Sequence, residues 1–205
     1  MDINSLNRLL GNIDIYLLDQ ILKGRFTKEM KILDAGCGEG RNTIYFLNEG
    51  YQIFGADSNP IAIQMARIYA QTIQKEYDVY RFQTSLIEKL HFHQGAFDAV
   101  ISSAVLHFAT SETHFLKMME EMMRVLKPGG IFFLRMTTSQ GNMQEKSPHL
   151  GDGVYLLPDG SERFLLTHSL ENEIVSKYRF KYLEPAKSVL VHGQRAMGVF
   201  VWEKG

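Results

Sequence analysis

Residues 32–43, ILDAGCGEGRNT, place glycine at positions 36, 38 and 40 directly behind a short apolar run. A buried strand that ends this way must turn sharply. It must also bring bare backbone close to something, because only glycine takes positive φ freely and carries no side chain. Strand, glycine turn and then helix is the opening unit of an α/β fold, in which ligands sit beyond the carboxyl ends of the strands. A dinucleotide turn asks for G-x-G-x-x-G with a pyrophosphate on the helix N-terminus. Here the pattern is the tighter G-x-G-x-G followed by Arg41. Taken alone it also suits plain packing of a strand against a helix.

The rest of the chain repeats the alternation. Apolar residues at Ile13, Tyr16, Leu17 and Ile21 predict a first helix over 13–22, closed by Gly24. KILDAG is a short buried strand, followed by a helix over 42–48, and YQIFGAD is a second strand. Asn59 caps a helix whose first residue is Pro60, where the missing N–H costs nothing. VYRFQ reads as a weak third strand and FDAVISSAV as a strong fourth. A helix over 111–126 stops at Lys127-Pro128-Gly129-Gly130, and IFFLRM is a fifth strand. Strands alternating with helices imply parallel βαβ units in a doubly wound sheet. Residues 137–167 break the rhythm with glycines, prolines and turn signals and show no regular period. A helix near 169–178 follows, and two β-rich runs joined at Gly193 and Gln194 predict an antiparallel edge hairpin.

Bulk properties narrow the function. At 205 residues the chain is one domain, with residues 1–29 as an N-terminal helical cap and 137–167 as an insert. Its 22 Lys and Arg stand against 23 Asp and Glu, so the basic excess of a nucleic-acid binder is missing. One cysteine rules out an internal disulfide framework and fits a reducing compartment. The first residues carry no basic head before an apolar stretch, and no run of 18 apolar residues occurs. The expectation is a cytoplasmic protein without nucleic-acid or membrane partners.

Asp57 gives the glycine turn its meaning. It closes the second strand in GADSNP, roughly 20 residues on, where a carboxylate accepts hydrogen bonds from both hydroxyls of a ribose. By itself Asp57 reads equally well as a turn residue before Asn59-Pro60. With the glycine turn, the ribose reading prevails.

Four stretches in this order, LDAGCGEG, GADSNP, FDAVISSAVLHF and RVLKPGGIFFL, resemble the class I S-adenosylmethionine-dependent methyltransferases over about residues 30–136. The leading helix and the size look similar to the family's small tellurite-resistance-type branch. The resemblance implies a Rossmann-like, doubly wound, seven-stranded, mostly parallel sheet with an antiparallel edge hairpin. It implies S-adenosyl-L-methionine as cofactor, which bears no phosphate and so needs no ring of N–H groups aimed at an anion. On the family's pattern Asp34, with the Gly36, Cys37, Gly38 and Gly40 turn, holds the amino-acid end. Asp57, with Ser58 beside it, holds the ribose, and Ser85, Leu86 and Ile87 cover the adenine. Where the family commonly has an acidic residue after the third strand, this chain has Ser85 or Leu86. Adenine recognition is therefore expected from a hydroxyl, a carbonyl and Ile87.

Other residues divide between chemistry and packing. His91 and His93 have chelate spacing, but no further ligand follows at a usable distance in sequence, so no metal site is expected. Met118, Met119, Met122 and Met123 recur at helical spacing and read as adaptable core filler. Cys37 lacks an identifiable base and reads as a small buried side chain. His107, after the fourth strand, stands where a transferred methyl should point and is the candidate base or acceptor contact. The functional expectation is methyl transfer to a small-molecule acceptor, with residues 137–167 as its lid. The competing readings are a catalytically silent cofactor-binding protein, an enzyme acting on a protein, and an NAD-dependent oxidoreductase. The last lacks both its six-residue glycine pattern and a substrate domain.

Overall fold

In the computed structural model, which describes residues 2–205, strand β1 (Lys31–Ala35) lies mid-sheet between two parallel neighbours. One is β2 (Gln52–Asp57) and the other β4 (Phe97–Ser103). β3 (Phe82–Thr84) pairs parallel outside β2, and β5 (Leu126–Thr137) parallel outside β4. The chain thus winds one way from β1 through β3 and the other way from β4, so the switch point falls between β1 and β4. Among the described residues the main sheet has eight strands rather than seven. Beyond β5 runs antiparallel β11 (Arg195–Glu203), which carries both the expected edge strand β10 (Lys187–Val191) and a two-residue strand β9 (Lys181–Tyr182). Two residues are too few to show a period in sequence.

Helices cover both faces. The helix predicted over 13–22 is α2 (Ile15–Leu22); a further helix, α1 (Ile3–Leu10), precedes it and ends at Gly11 with φ 59°. α3 (Ile44–Asn48) is shorter than predicted. α4 (Pro60–Ile73) starts where expected, with the Asn59 side chain accepting from the Ile61 and Ala62 N–H groups, a cap worth ~1 kcal/mol. α5 (Glu112–Val125) buries Met118, Met119, Met122 and Met123 against the sheet, as core filler should. The Lys-Pro-Gly-Gly stretch does not delay β5. Pairing with β4 begins at Leu126 and skips from Phe97–Leu126 to Ala99–Ile131, so the proline and glycines form a bulge within the strand.

The insert is more regular than its sequence. It holds a one-turn helix α6 (Met143–Lys146) and an antiparallel sheet of β6 (His149–Gly151), β7 (Val154–Leu156) and β8 (Glu162–Phe164). Three-residue strands are too short to display alternation, which explains the missing period. Met143, Leu157, Leu165 and Ala196 give this unit a small core of its own. Phe164 stacks on Phe115 at 4.9 Å, inside the main core. The chain then forms α7 (His168–Tyr178) and returns to the sheet.

Candidate active site

The carboxyl ends of β1, β2 and β4, with the turn after β3, converge on one cavity of about 360 Å³. Of the residues expected at a cofactor site, Gly36, Asp57, Ser58, Leu86 and Ile87 line it. Asp57 organises its rim. One carboxylate oxygen accepts from the Gly38 N–H at 2.9 Å and the other from the Asn59 N–H at 2.9 Å. A carboxylate has about four acceptor sites, so two remain for hydroxyls in the cavity. The turn is fastened to β2 a second time, because the Gly36 and Cys37 N–H groups both donate to the Ala56 carbonyl.

The glycines serve different ends. Gly36 has φ 82°, and a Cβ there would stand 2.3 Å from Val105 Cγ2, so it is required by Val105. Gly40 makes room for Thr43 at the start of α3 and for Ala66 of α4. Of the three turn glycines, Gly38 alone has no atom within 4 Å of where a Cβ would stand. That is the stretch of backbone a ligand could lie against.

Asp34, Cys37, Gly38, Gly40 and Ser85, expected at the same site, do not line the cavity. Asp34 is 1% exposed, and neither carboxylate oxygen has a hydrogen-bond partner among the described residues. Burial pushes its pKa up to about 7. The Arg41 charge opposes the rise, and Asp57 and Asp14 add to it. Burial likewise drives the Cys37 thiol well above its ordinary value, the opposite of what a nucleophile needs. The Ser85 hydroxyl is buried without a partner among the described residues, and the Ser85 N–H donates to the Asp57 carbonyl.

Six further residues in the wall escaped the sequence: Glu88, Ala104, Val105, Phe108, His114 and Met118. Glu88 is the informative one. It sits one 3₁₀ turn beyond the position where an acid was sought, and His114 Nε2 lies 3.6 Å from its carboxylate. An acidic residue within four positions of a third strand is a usable signal, provided the short helical turn is allowed for.

His107 follows β4 in a 3₁₀ turn (Leu106–Phe108), 7% exposed, with Nδ1 unpartnered among the described residues. Burial lowers its pKa to about 4, reinforced by Arg163, Arg135 and Arg195, so the imidazole is neutral at physiological pH. It borders a second cavity, of about 220 Å³, separated from the first by Ala104. Ala104 holds φ 62°, a left-handed value uncommon for a residue with a Cβ. Its N–H is tied to the Arg135 carbonyl at 2.7 Å, which keeps it there. Among the described residues no three His, Cys, Asp or Glu are grouped as a metal site, and no helix is long and apolar enough to cross a membrane.

Residues 33–134 match the family model described as a methyltransferase domain. An uncharacterized methyltransferase of Synechocystis sp. is 36% identical over 104 residues, 51% of this chain and 45% of that one. A SAM-dependent methyltransferase from Methanosarcina mazei superposes with a TM-score of 0.70 at 22% identity, covering 90% of this chain and 96% of its own. The 1,6-didemethyltoxoflavin-N1-methyltransferase of Burkholderia thailandensis, solved with 1,6-didemethyltoxoflavin and S-adenosylhomocysteine, does so with a TM-score of 0.65 at 20% identity, covering 90% and 75%. The chain belongs to the class I S-adenosylmethionine-dependent methyltransferases. It spans less than half the length of the curated relatives it matches.

Proposed function

We propose that this protein transfers a methyl group from S-adenosylmethionine to a small-molecule acceptor. The observation that carries the reading is the Asp57 carboxylate, held by the Gly38 and Asn59 N–H groups at the rim of a cavity on the sheet's switch side. In this reading Asp57 and Ser58 take the ribose. The Gly36–Gly38 backbone, with Asp34 beneath and Cys37 and Gly40 shaping the turn, takes the amino-acid end. Ile87, Leu86 and Met118 flank the adenine. Glu88, with Ser85 below it, supplies the polar contact to its amino group.

The cofactor's sulfonium makes its methyl a strong electrophile. The chain's own residues are left to position a nucleophile in line with it and to exclude water. Val105 and Phe108 form the wall facing the acceptor side, and neutral His107 has a buried ring nitrogen without a partner, which would receive a proton from an amine or hydroxyl. Residues 137–167 wall the acceptor side, through Leu150, Gly151 and Val154, which border a third cavity together with His107 and Phe108. The bound 1,6-didemethyltoxoflavin of the Burkholderia enzyme is a precedent for a small acceptor on this fold.

Calorimetry with S-adenosylhomocysteine and NAD, followed by an acceptor screen for S-adenosylhomocysteine release, tests the reading. S-adenosylhomocysteine is expected to bind far more tightly than NAD. The reverse preference would refute the cofactor assignment, and binding without release on any acceptor would favour a silent binding protein.

A further inference from the structure

The second cavity has a composition unlike the first. Four guanidinium groups border it: Arg41 from the glycine turn, Arg135 from β5, Arg163 from β8 and Arg195 from β11. Carboxylates offset them only in part. Arg135 and Arg41 share Asp14, at 3.0 and 3.9 Å, and Arg195 lies 3.4 Å from Asp159. Arg163 makes no ion pair among the described residues. Its Nη1 donates to the Glu162 carbonyl, and its guanidinium lies 4.7 Å over the Phe108 ring. Four cations against two paired carboxylates leave an excess of positive charge around a pocket of about 220 Å³.

Polar groups in this wall also lack partners. Nδ1 of buried His107 and Nε of Arg135 have no hydrogen-bond partner among the described residues. Four separate segments converge to build the cluster, including the insert. Like charges gathered at this density repel one another, so a cluster that merely decorated a surface would be destabilising. Its natural complement is an oxyanion, which planar guanidinium forks grip through paired hydrogen bonds.

We infer that the acceptor carries an anionic head, a carboxylate or phosphate, which docks among Arg41, Arg135, Arg163 and Arg195 and leaves its nucleophile pointing past Ala104 toward the cofactor cavity. The direction of the nucleophile rests on the methyltransferase reading. The anion site does not. The insert thereby gains a specific role, since β8 delivers Arg163 to a pocket whose other arginines come from the main sheet and the glycine turn.

The test uses the full chain saturated with S-adenosylhomocysteine, titrated calorimetrically with inorganic phosphate, benzoate and neutral benzamide. One or both anions should bind, with benzamide at least tenfold weaker, and which anion binds more tightly identifies the head group. Arg163→Gln and Arg195→Gln, both partly exposed positions where folding should survive, should each weaken anion binding about tenfold. Their S-adenosylhomocysteine affinity and far-ultraviolet dichroism should not change. Arg163→Lys should recover part of the loss. Equal binding of benzoate and benzamide, anion affinity unaltered in the doubly substituted protein, or binding of neither anion would overturn the inference. Anion binding that persists while S-adenosylhomocysteine fails to bind would confirm the pocket and refute the methyl-transfer reading instead.

Discussion

At the scale of single residues, two carboxylates are expected to govern cofactor recognition, in different ways. Asp57 already accepts two backbone N–H groups, so its orientation is fixed before any ligand arrives. Its removal should cost the hydrogen bonds to the ribose hydroxyls, ~2–4 kcal/mol for charged acceptors, and should also release the Gly38 turn. Asp57→Ala is accordingly expected to weaken S-adenosylhomocysteine binding at least tenfold, read by calorimetry. An unchanged dissociation constant would place the ribose elsewhere. Glu88 should act on selectivity rather than on affinity alone. An acid that accepts from an exocyclic amino group distinguishes adenine from hypoxanthine, which presents a carbonyl there. Glu88→Ala should narrow the preference for S-adenosylhomocysteine over S-inosylhomocysteine, and an unaltered preference would remove Glu88 from the adenine pocket.

At the scale of elements, legibility followed length and capping. The long strands β1, β2 and β4 and the capped helices α4 and α5 carry enough periodic apolar residues to be read directly, and they place Gly36, Asp57 and His107 at one edge. What escaped was short or set by distant partners. β9 pairs only because β11 passes beside it, and β6–β8 have three residues each. Glu88 was hidden by a 3₁₀ turn, and the arginine cluster by its origin in four segments far apart in sequence. No local pattern records that Arg41 and Arg195 meet. The insert illustrates the physical difference. It has the glycines of a flap, yet Phe164 is fully buried against Phe115, and the Thr137 hydroxyl donates to the Phe164 carbonyl at 2.7 Å. Its base is therefore part of the main core, and any motion belongs to the half-exposed tip. Phe164→Ala should destabilise the whole protein by ~3–5 kcal/mol in urea unfolding, whereas Leu150→Ser, at a position 50% exposed, should leave stability within about 0.5 kcal/mol. A small effect of Phe164→Ala would mean that the insert is a detachable flap.

At the scale of the whole molecule, two buried groups at the strand ends pull the pH dependence of stability in opposite directions. Asp34 titrates near 7 in the folded protein and near 3.8 unfolded, because burial disfavours its charge. Between those values the folded state holds the extra proton. The stability contributed by Asp34 is therefore complete below about pH 4 and is lost as pH rises through 7. His107 behaves inversely, since burial and the neighbouring arginines lower it to about 4 from 6.5. Between those values the unfolded chain holds the extra proton, so the His107 contribution is complete above 6.5 and is lost as pH falls through 4. Each effect has a slope near 1.4 kcal/mol per pH unit, and from pH 5 to about 6.5 they nearly cancel. The native protein should thus show an almost flat denaturant midpoint over that window, which on its own would suggest that nothing titrates. Single substitutions expose the balance. Asp34→Asn should leave stability that climbs with pH from 5 to 6.5, and His107→Gln should leave stability that declines over the same range. Urea titrations at half-unit pH steps decide the matter. Flat profiles in both variants would mean that Asp34 and His107 keep their ordinary titration in the folded protein, and a slope in one variant beside a flat profile in the other would mean that only one of them is shifted as described.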